Sequence, residues 1–147
     1  MVTFKDTVDE QIHFALVKGN ISELEAPLVR VHLQNTFSDL LGSDRSVNRS
    51  FSIDDGLEKV AQEGGVFVLL GKQENQQELI NIVKRFEAED LGENLAPAKW
   101  TGTSRNVGIG SQILAHLGVS KMRLLSSPKN YHALSGFGLE VVEYVSE

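Results

Sequence analysis

The chain has 147 residues, 41% of them hydrophobic and 23% charged. A chain of that size hides roughly 70% of its unfolded surface on folding, so one core can form without staples, and wholesale disorder or two full domains are poor readings. The sequence contains no cysteine, and its 14 Lys and Arg stand against 20 Asp and Glu for a net charge of −6. This excludes disulfides, thiolate catalysis and cysteine-based metal sites, and gives no overall attraction to phosphate backbones.

In chain order, Met1 is followed by Lys5 and Asp6 with no signal-peptide core. No apolar run approaches the roughly 20 residues that span a bilayer, so a soluble cytoplasmic protein without nucleic-acid or membrane partners is expected. Residues 12–18 and 27–33 are rich in β-branched and aliphatic side chains, and the turn at Gly19 and Asn20 between them predicts a strand pair. Residues 34–50 lose periodicity and read as a long surface loop of the kind that carries function. Ser52 is a good N-cap with Asp55 three places on, and Ile53, Leu57, Val60 and Ala61 predict one apolar helix face, ended by Gly64 and Gly65.

The short apolar run 66–70 suits a strand buried on both faces. Leu79, Ile82, Val83 and Phe86 predict a second helix over 74–89, with Gly92 past its end, and residues 94–108 read as irregular. Ile109, Ile113, Leu114 and Leu117 mark a helix closed by Gly118. A strand at 122–125, a proline-opened helix at 128–134 and a strand at 139–145 complete the chain. Helix and strand in alternation predict an α/β domain with right-handed crossovers on an at least partly parallel sheet.

Residue types alone point to little chemistry. His13, His32, His116 and His132 never fall at the i, i+4 spacing of a helical metal site, so no metal ligation is expected from them. Gly108, Ile109 and Gly110 read as a glycine turn into a helix whose N-terminus could hold an anion, but the third glycine of a dinucleotide fingerprint is missing. Ser126, Ser127, Pro128 and Lys129 stand where a strand gives way to a helix. That is a common phosphate place in α/β proteins, and equally a plain Ser cap before a first-turn proline. No nucleophile elbow and no phosphate-cradling loop is present.

The order of motifs resembles the GTP cyclohydrolase II family, whose zinc enzymes open the imidazole ring of GTP at the start of riboflavin synthesis. The resemblance runs from about Ile12 to the C-terminus. It is carried by Ala15, Leu16, Val17, Lys18 and Gly19, then Arg30, Val31 and His32, then Ala61, Gln62, Glu63 and Gly64, then Gln73 and Glu74. Residues 108–114, 117–119, 123–125 and 138–143 form the strongest block. The resemblance implies a single GTP cyclohydrolase II-like domain over residues 1–147, with a mixed sheet flanked by helices.

The family's catalytic pattern is missing. Its three zinc-binding cysteines correspond to Asn35, Ser46 and Asn48, and neutral Asn and Ser oxygens are poor zinc ligands. Without the metal no water is acidified for attack on the ring. The family's glutamate–glycine–arginine segment reads Glu74, Asn75 and Gln76, its catalytic tyrosine falls at Phe86, and its aspartate base at Thr103. The arginine proposed as its nucleophile is retained as Arg105. Arg30, Arg105 and Lys129 therefore read as remnants of a polyanion site, with His32, Glu74 and Ser126 beside them as ligand-binding candidates; a structural role for the arginines, paired with carboxylates, is the alternative.

In many bacteria such a domain is fused behind 3,4-dihydroxy-2-butanone 4-phosphate synthase, and some of these rear domains are degenerate. The resemblance implies a zinc-free, cofactor-free pseudoenzyme of that type, dimeric, acting on or assembling a fused synthase. The chain starts almost at the 12–18 strand, without the family's preceding strand, and stops without its polar tail, which suggests the C-terminal part of a longer protein. Two alternatives stay open: a module that binds GTP or another phosphate ligand, and a metal-independent hydrolase or cyclohydrolase acting on GTP.

Overall fold

A computed structural model of the chain describes residues 1–43, 51–72, 74–93, 103–127 and 134–146. Six strands form one sheet: β1 (Val2–Lys5), β2 (Ile12–Lys18), β3 (Leu28–Leu33), β4 (Gly65–Leu70), β5 (Lys121–Leu125) and β6 (Glu140–Val145), in the order β1-β2-β4-β3-β5-β6. β1 pairs antiparallel with β2 and β2 with β4, while β4, β3, β5 and β6 run parallel. The helices are α1 (Thr36–Leu41), α2 (Ile53–Glu63), α3 (Gln76–Asp90) and α4 (Thr103–His116). This is the partly parallel α/β sheet that the alternation of elements predicts, and the mixed, helix-flanked form that the resemblance implies.

Two crossovers leave the sheet centre in opposite directions, β3 through α2 to β4, and β4 past β3 to β5. Right-handed connections of opposite direction place their helices on opposite faces, and side-chain alternation along β4 records this. Val66, Val68 and Leu70 pack in one core with Ile113 and Leu114 of α4. Phe67 joins Leu28, Phe51, Val60 and Leu125 in a second core on the α2 side. α4 approaches β3 so closely that a Cβ on Gly110 would sit 3.2 Å from Val31, which is why glycine occupies that point of the helix. α3 buries none of its residues fully and meets α1 through Phe86, whose ring packs edge-on to Phe37 at 5.3 Å.

The fold corrects the sequence reading at several places. β2 and β3 are not neighbours: β4 lies between them, pairing antiparallel with β2 and parallel with β3, and this central place buries its apolar run on both faces. A strand does precede β2. β1 is only four residues long, too short for alternation to show, and is held by its ladder to β2.

The 34–50 stretch is not wholly loop, since α1 forms within it; Asn35 caps this one-and-a-half-turn helix by accepting from the backbone N–H groups of Phe37 and Ser38. Residues 103–108, read as irregular, are the first turns of α4, so Gly108–Ile109–Gly110 is helix interior and not an entry turn. The second helix starts at Gln76, with Asn75 as its cap, leaving Glu74 in the approach to it. The expected helix at 128–134 falls outside the described residues except at Leu134, which precedes a single 3-10 turn, Ser135–Phe137. Among the described residues no helix is long and apolar enough to cross a membrane.

Candidate functional site

In parallel α/β sheets, ligands bind beyond the carboxyl ends of the strands, where successive crossovers diverge. Here that point is the end of β3 beside β4. Arg30 and His32, two residues apart on β3, share the α2 face and are 8% and 4% exposed. Gly56 of α2 makes room above them, since a Cβ there would lie 2.7 Å from the Phe67 ring and 3.6 Å from Arg30 Cγ. Arg30 Nη1 donates to the Leu125 carbonyl at 3.0 Å, and its guanidinium carbon stands 5.9 Å from the Phe51 ring centre.

His32 stacks on Phe67, with centroids 6.1 Å apart, and its Nε2 lies 2.9 Å from Asp39 Oδ1. With an ionised carboxylate there, Nε2 carries the proton and donates. That leaves the Nδ1 lone pair toward Arg30 Nη2 at 3.5 Å. Asp39 Oδ2 in turn accepts the Asn35 N–H at 2.8 Å, so the start of α1 is tied to β3 through one buried carboxylate. Glu74 reaches the same turn from the end of β4, where its Oε1 accepts from Thr36 N–H at 3.0 Å and Thr36 Oγ1 at 3.3 Å. The second oxygen, Oε2, is buried without a hydrogen-bond partner.

The expected site residues are not all in one place. Arg30 and His32 are together, and Glu74 joins them through Thr36 and α1. Arg105 lies on α4, across the sheet, where its Nη2 donates to Asp6 Oδ2 at 3.1 Å and Asp9 Oδ2 at 3.2 Å. Asp6 is held below the usual carboxylate range, first by the Val8 N–H it accepts and also by Arg105. Ser126, at the end of β5, donates its hydroxyl to the Ser127 carbonyl, and Lys129 lies outside the described residues. Asp39, the carboxylate that closes the network, escaped the sequence reading; its signal was the Asn35 cap with an acid four residues on, hidden in an aperiodic polar stretch.

The resemblance to zinc enzymes can be tested at Asn35. Its Oδ1 accepts two backbone N–H groups, at 3.0 and 3.1 Å, and so is committed to capping α1. It does not fit a zinc ligand. Ser46 and Asn48, expected from the resemblance at the other two cysteine positions, fall outside the described residues. Among the described residues no group of three or more His, Cys, Asp or Glu side chains is placed to hold a metal.

Both buried histidines titrate below the ordinary value of 6.5. For His32, burial lowers the pKa most, the hydrogen bond and charge of Asp39 pull it back up, and Arg30 lowers it again. For His13, burial again dominates, with Asp6 and Asp9 opposing it and Arg105 adding to it. A histidine whose folded pKa is depressed binds fewer protons folded than unfolded. Stability is then full above about pH 6.5 and falls as pH drops below that value. The unfolding temperature is expected to decline steadily from pH 7 to 5, and less steeply in His13→Gln. Equal slopes in the two proteins would show that His13 is not kept neutral.

Known proteins share this arrangement of strands and helices. A family model described as GTP cyclohydrolase II matches residues 1–146. A 3,4-dihydroxy-2-butanone 4-phosphate synthase of Photobacterium phosphoreum is 45% identical over 148 residues, which covers 99% of this chain and 38% of the relative. The riboflavin biosynthesis protein RibBA of Aquifex aeolicus is 39% identical over 148 residues, covering 96% of this chain and 36% of the relative. Among solved structures, RibBX, a two-domain 3,4-dihydroxy-2-butanone 4-phosphate synthase from A. baumannii, matches with a TM-score of 0.60 and 32% identity, over 99% of this chain and 35% of that one. The chain thus spans less than two-fifths of the length of these relatives.

Proposed function

The chain belongs to the GTP cyclohydrolase II family, and we propose that it is a zinc-free member acting as an accessory domain, regulatory or assembling, for a 3,4-dihydroxy-2-butanone 4-phosphate synthase in riboflavin biosynthesis. One observation carries the zinc-free part: Asn35 uses its side-chain oxygen to cap α1, with Asp39 and His32 closing the turn around it. Within residues 35–39 these groups satisfy one another without a metal. The wider network supports the same reading. Arg30 is engaged by Leu125 and Phe51, and Arg105 by Asp6 and Asp9, so both serve the fold rather than a triphosphate. The accessory part rests on the relatives, which are named as synthases and carry much more chain. A homodimer in the cytoplasm belongs to this proposal.

The test is calorimetric titration with GTP, with and without added zinc, followed by a check for ring-opened product. No turnover is expected in either condition, and zinc-dependent turnover would overturn the zinc-free reading. In the fused protein, synthase turnover or oligomer size is expected to change when the chain is cut before this domain; identical values would overturn the accessory role.

One observation favours a second reading, a nucleotide-binding module. Glu74 Oε2 is a buried carboxylate oxygen with no hydrogen-bond partner, and the cost of leaving such an acceptor unsatisfied would be offset by an N–H of a ligand. On this reading GTP binds without turnover, and Glu74→Gln weakens binding about tenfold, the loss of one charge-assisted hydrogen bond.

A further inference from the structure

β1 is the outermost strand of the sheet, and among the described residues only β2 pairs with it. An open cavity of about 850 Å³ is lined by all four of its residues, Val2, Thr3, Phe4 and Lys5. Successive strand residues point to opposite faces, so a cavity touching all four reaches around the strand's free edge, and His13 of β2, opposite Phe4, lines its inner end. Its other wall is α4. Arg105, Gly108, Ile109, Gln112, Ile113 and His116 line it, and their spacing by three and four makes them one stripe of the helix. Phe4 closes the floor, edge-on to His116 at 5.7 Å.

The two glycines of α4 differ in a telling way. Gly110 is required by the approach of Val31, but a Cβ on Gly108 would meet nothing within 4 Å. Glycine in a helix interior is destabilising relative to alanine, and at Gly108 no packing contact demands it. What its missing side chain provides is depth in the groove.

We propose that this groove receives an extended segment of the companion synthase part, which pairs its main chain with β1 and lays alternate apolar side chains on Phe4, Ile109 and Ile113. The proposal rests on the accessory-domain reading above. A row of main-chain donors and acceptors on a strand edge is complemented by another extended chain, and a flanking helix supplies side-chain pockets. The source of that segment is the greater part of the relatives that lies outside the match, since this chain covers 38% and 35% of the Photobacterium phosphoreum and A. baumannii proteins.

The test uses short overlapping labelled peptides that cover the synthase part of the Photobacterium phosphoreum relative. They are titrated against the chain by fluorescence anisotropy, and amide exchange is followed at Val2–Lys5. One stretch with apolar residues at alternate positions is expected to bind and to slow exchange of these amides about tenfold or more. Gly108→Trp, which fills the groove, should weaken that binding at least about tenfold without lowering the unfolding temperature. Gln112→Trp, at an exposed position on the same wall, serves if the first variant folds poorly.

Absence of any binding stretch, or binding indifferent to both substitutions, overturns the proposal. So does slow exchange of β1 in the chain alone that strengthens with protein concentration, which would give the edge to a second copy. Dependence of synthase turnover on this domain, without any peptide in the groove, would refute the groove and leave the accessory role standing.

Discussion

Gly65→Ala is expected to destabilise the protein by more than about 4 kcal/mol, enough to prevent accumulation of folded chain. Gly65 opens β4 with φ at +153°, a backbone region that L side chains rarely adopt. It lies opposite Leu28 in the parallel β3–β4 ladder, so an added Cβ would fall on the Leu28 carbonyl oxygen and within 2.8 Å of its backbone nitrogen. Neither atom can yield. Leu28 is fully buried in the α2-side core, and its N–H donates to the Gly64 carbonyl at 3.2 Å. Relieving the clash would separate the two central strands. Gly92→Ala is the control: its φ is also positive, at +77°, but a Cβ there meets nothing within 4 Å, so only about 1 kcal/mol should be lost. Urea unfolding of both variants decides the matter, and a Gly65→Ala protein within about 1 kcal/mol of the parent would mean that β3 and β4 do not pair in this register.

Asp39→Ala is the second large effect, a loss of about 2–3 kcal/mol. The substitution leaves the His32 Nε2–H, almost wholly buried, without an acceptor, and such an orphan costs about 1–3 kcal/mol. It also removes the acceptor of the Asn35 N–H, loosening the cap of α1. Asp39→Asn keeps one acceptor oxygen and should cost roughly half as much. A readout specific to the pairing is the His32 titration followed by NMR. Asp39 now raises the His32 pKa against the dominant effect of burial, so removing it should move the titration further below the ordinary range. An unchanged His32 titration, or a stability loss under about 0.5 kcal/mol, would mean the pair does not form in solution. The result bears on function because α1 and Glu74 share Thr36; if α1 loosens, the only carboxylate oxygen at the site without a donor, among the described residues, is freed to move.

Arg30 shows how much of the candidate site the sequence could convey. Its place two residues before His32 puts both on one face of a strand, because strand side chains alternate, and that much is legible from spacing. Its partners are not. The Leu125 carbonyl lies 95 residues away, and only the parallel neighbourhood of β3 and β5 brings it near. Arg105 shows the reverse case. Grouped with Arg30 by the motif order, it turns instead to Asp6 and Asp9, almost one hundred residues earlier, because α4 covers the opposite face of the sheet.

By itself the sequence determined what depends on neighbours along the chain. Ser52 capping α2, the 3.6-residue apolar stripes of α2 and α4, and the unbroken apolar run of β4 all express backbone geometry within a few residues. The absence of cysteine is a matter of composition alone, and it excludes disulfides and thiolate ligands from this chain whatever the fold. The tertiary structure decided which segments meet. It inserted β4 between β2 and β3, gave the four-residue β1 a ladder to lie on, left the outer edge of β1 beside α4, and turned part of a polar stretch into α1 by closing Asp39 onto His32. The physical reason is common to all four: each arrangement is stabilised by contacts between residues distant in sequence or too few to show a period, and local propensity is nearly silent about both.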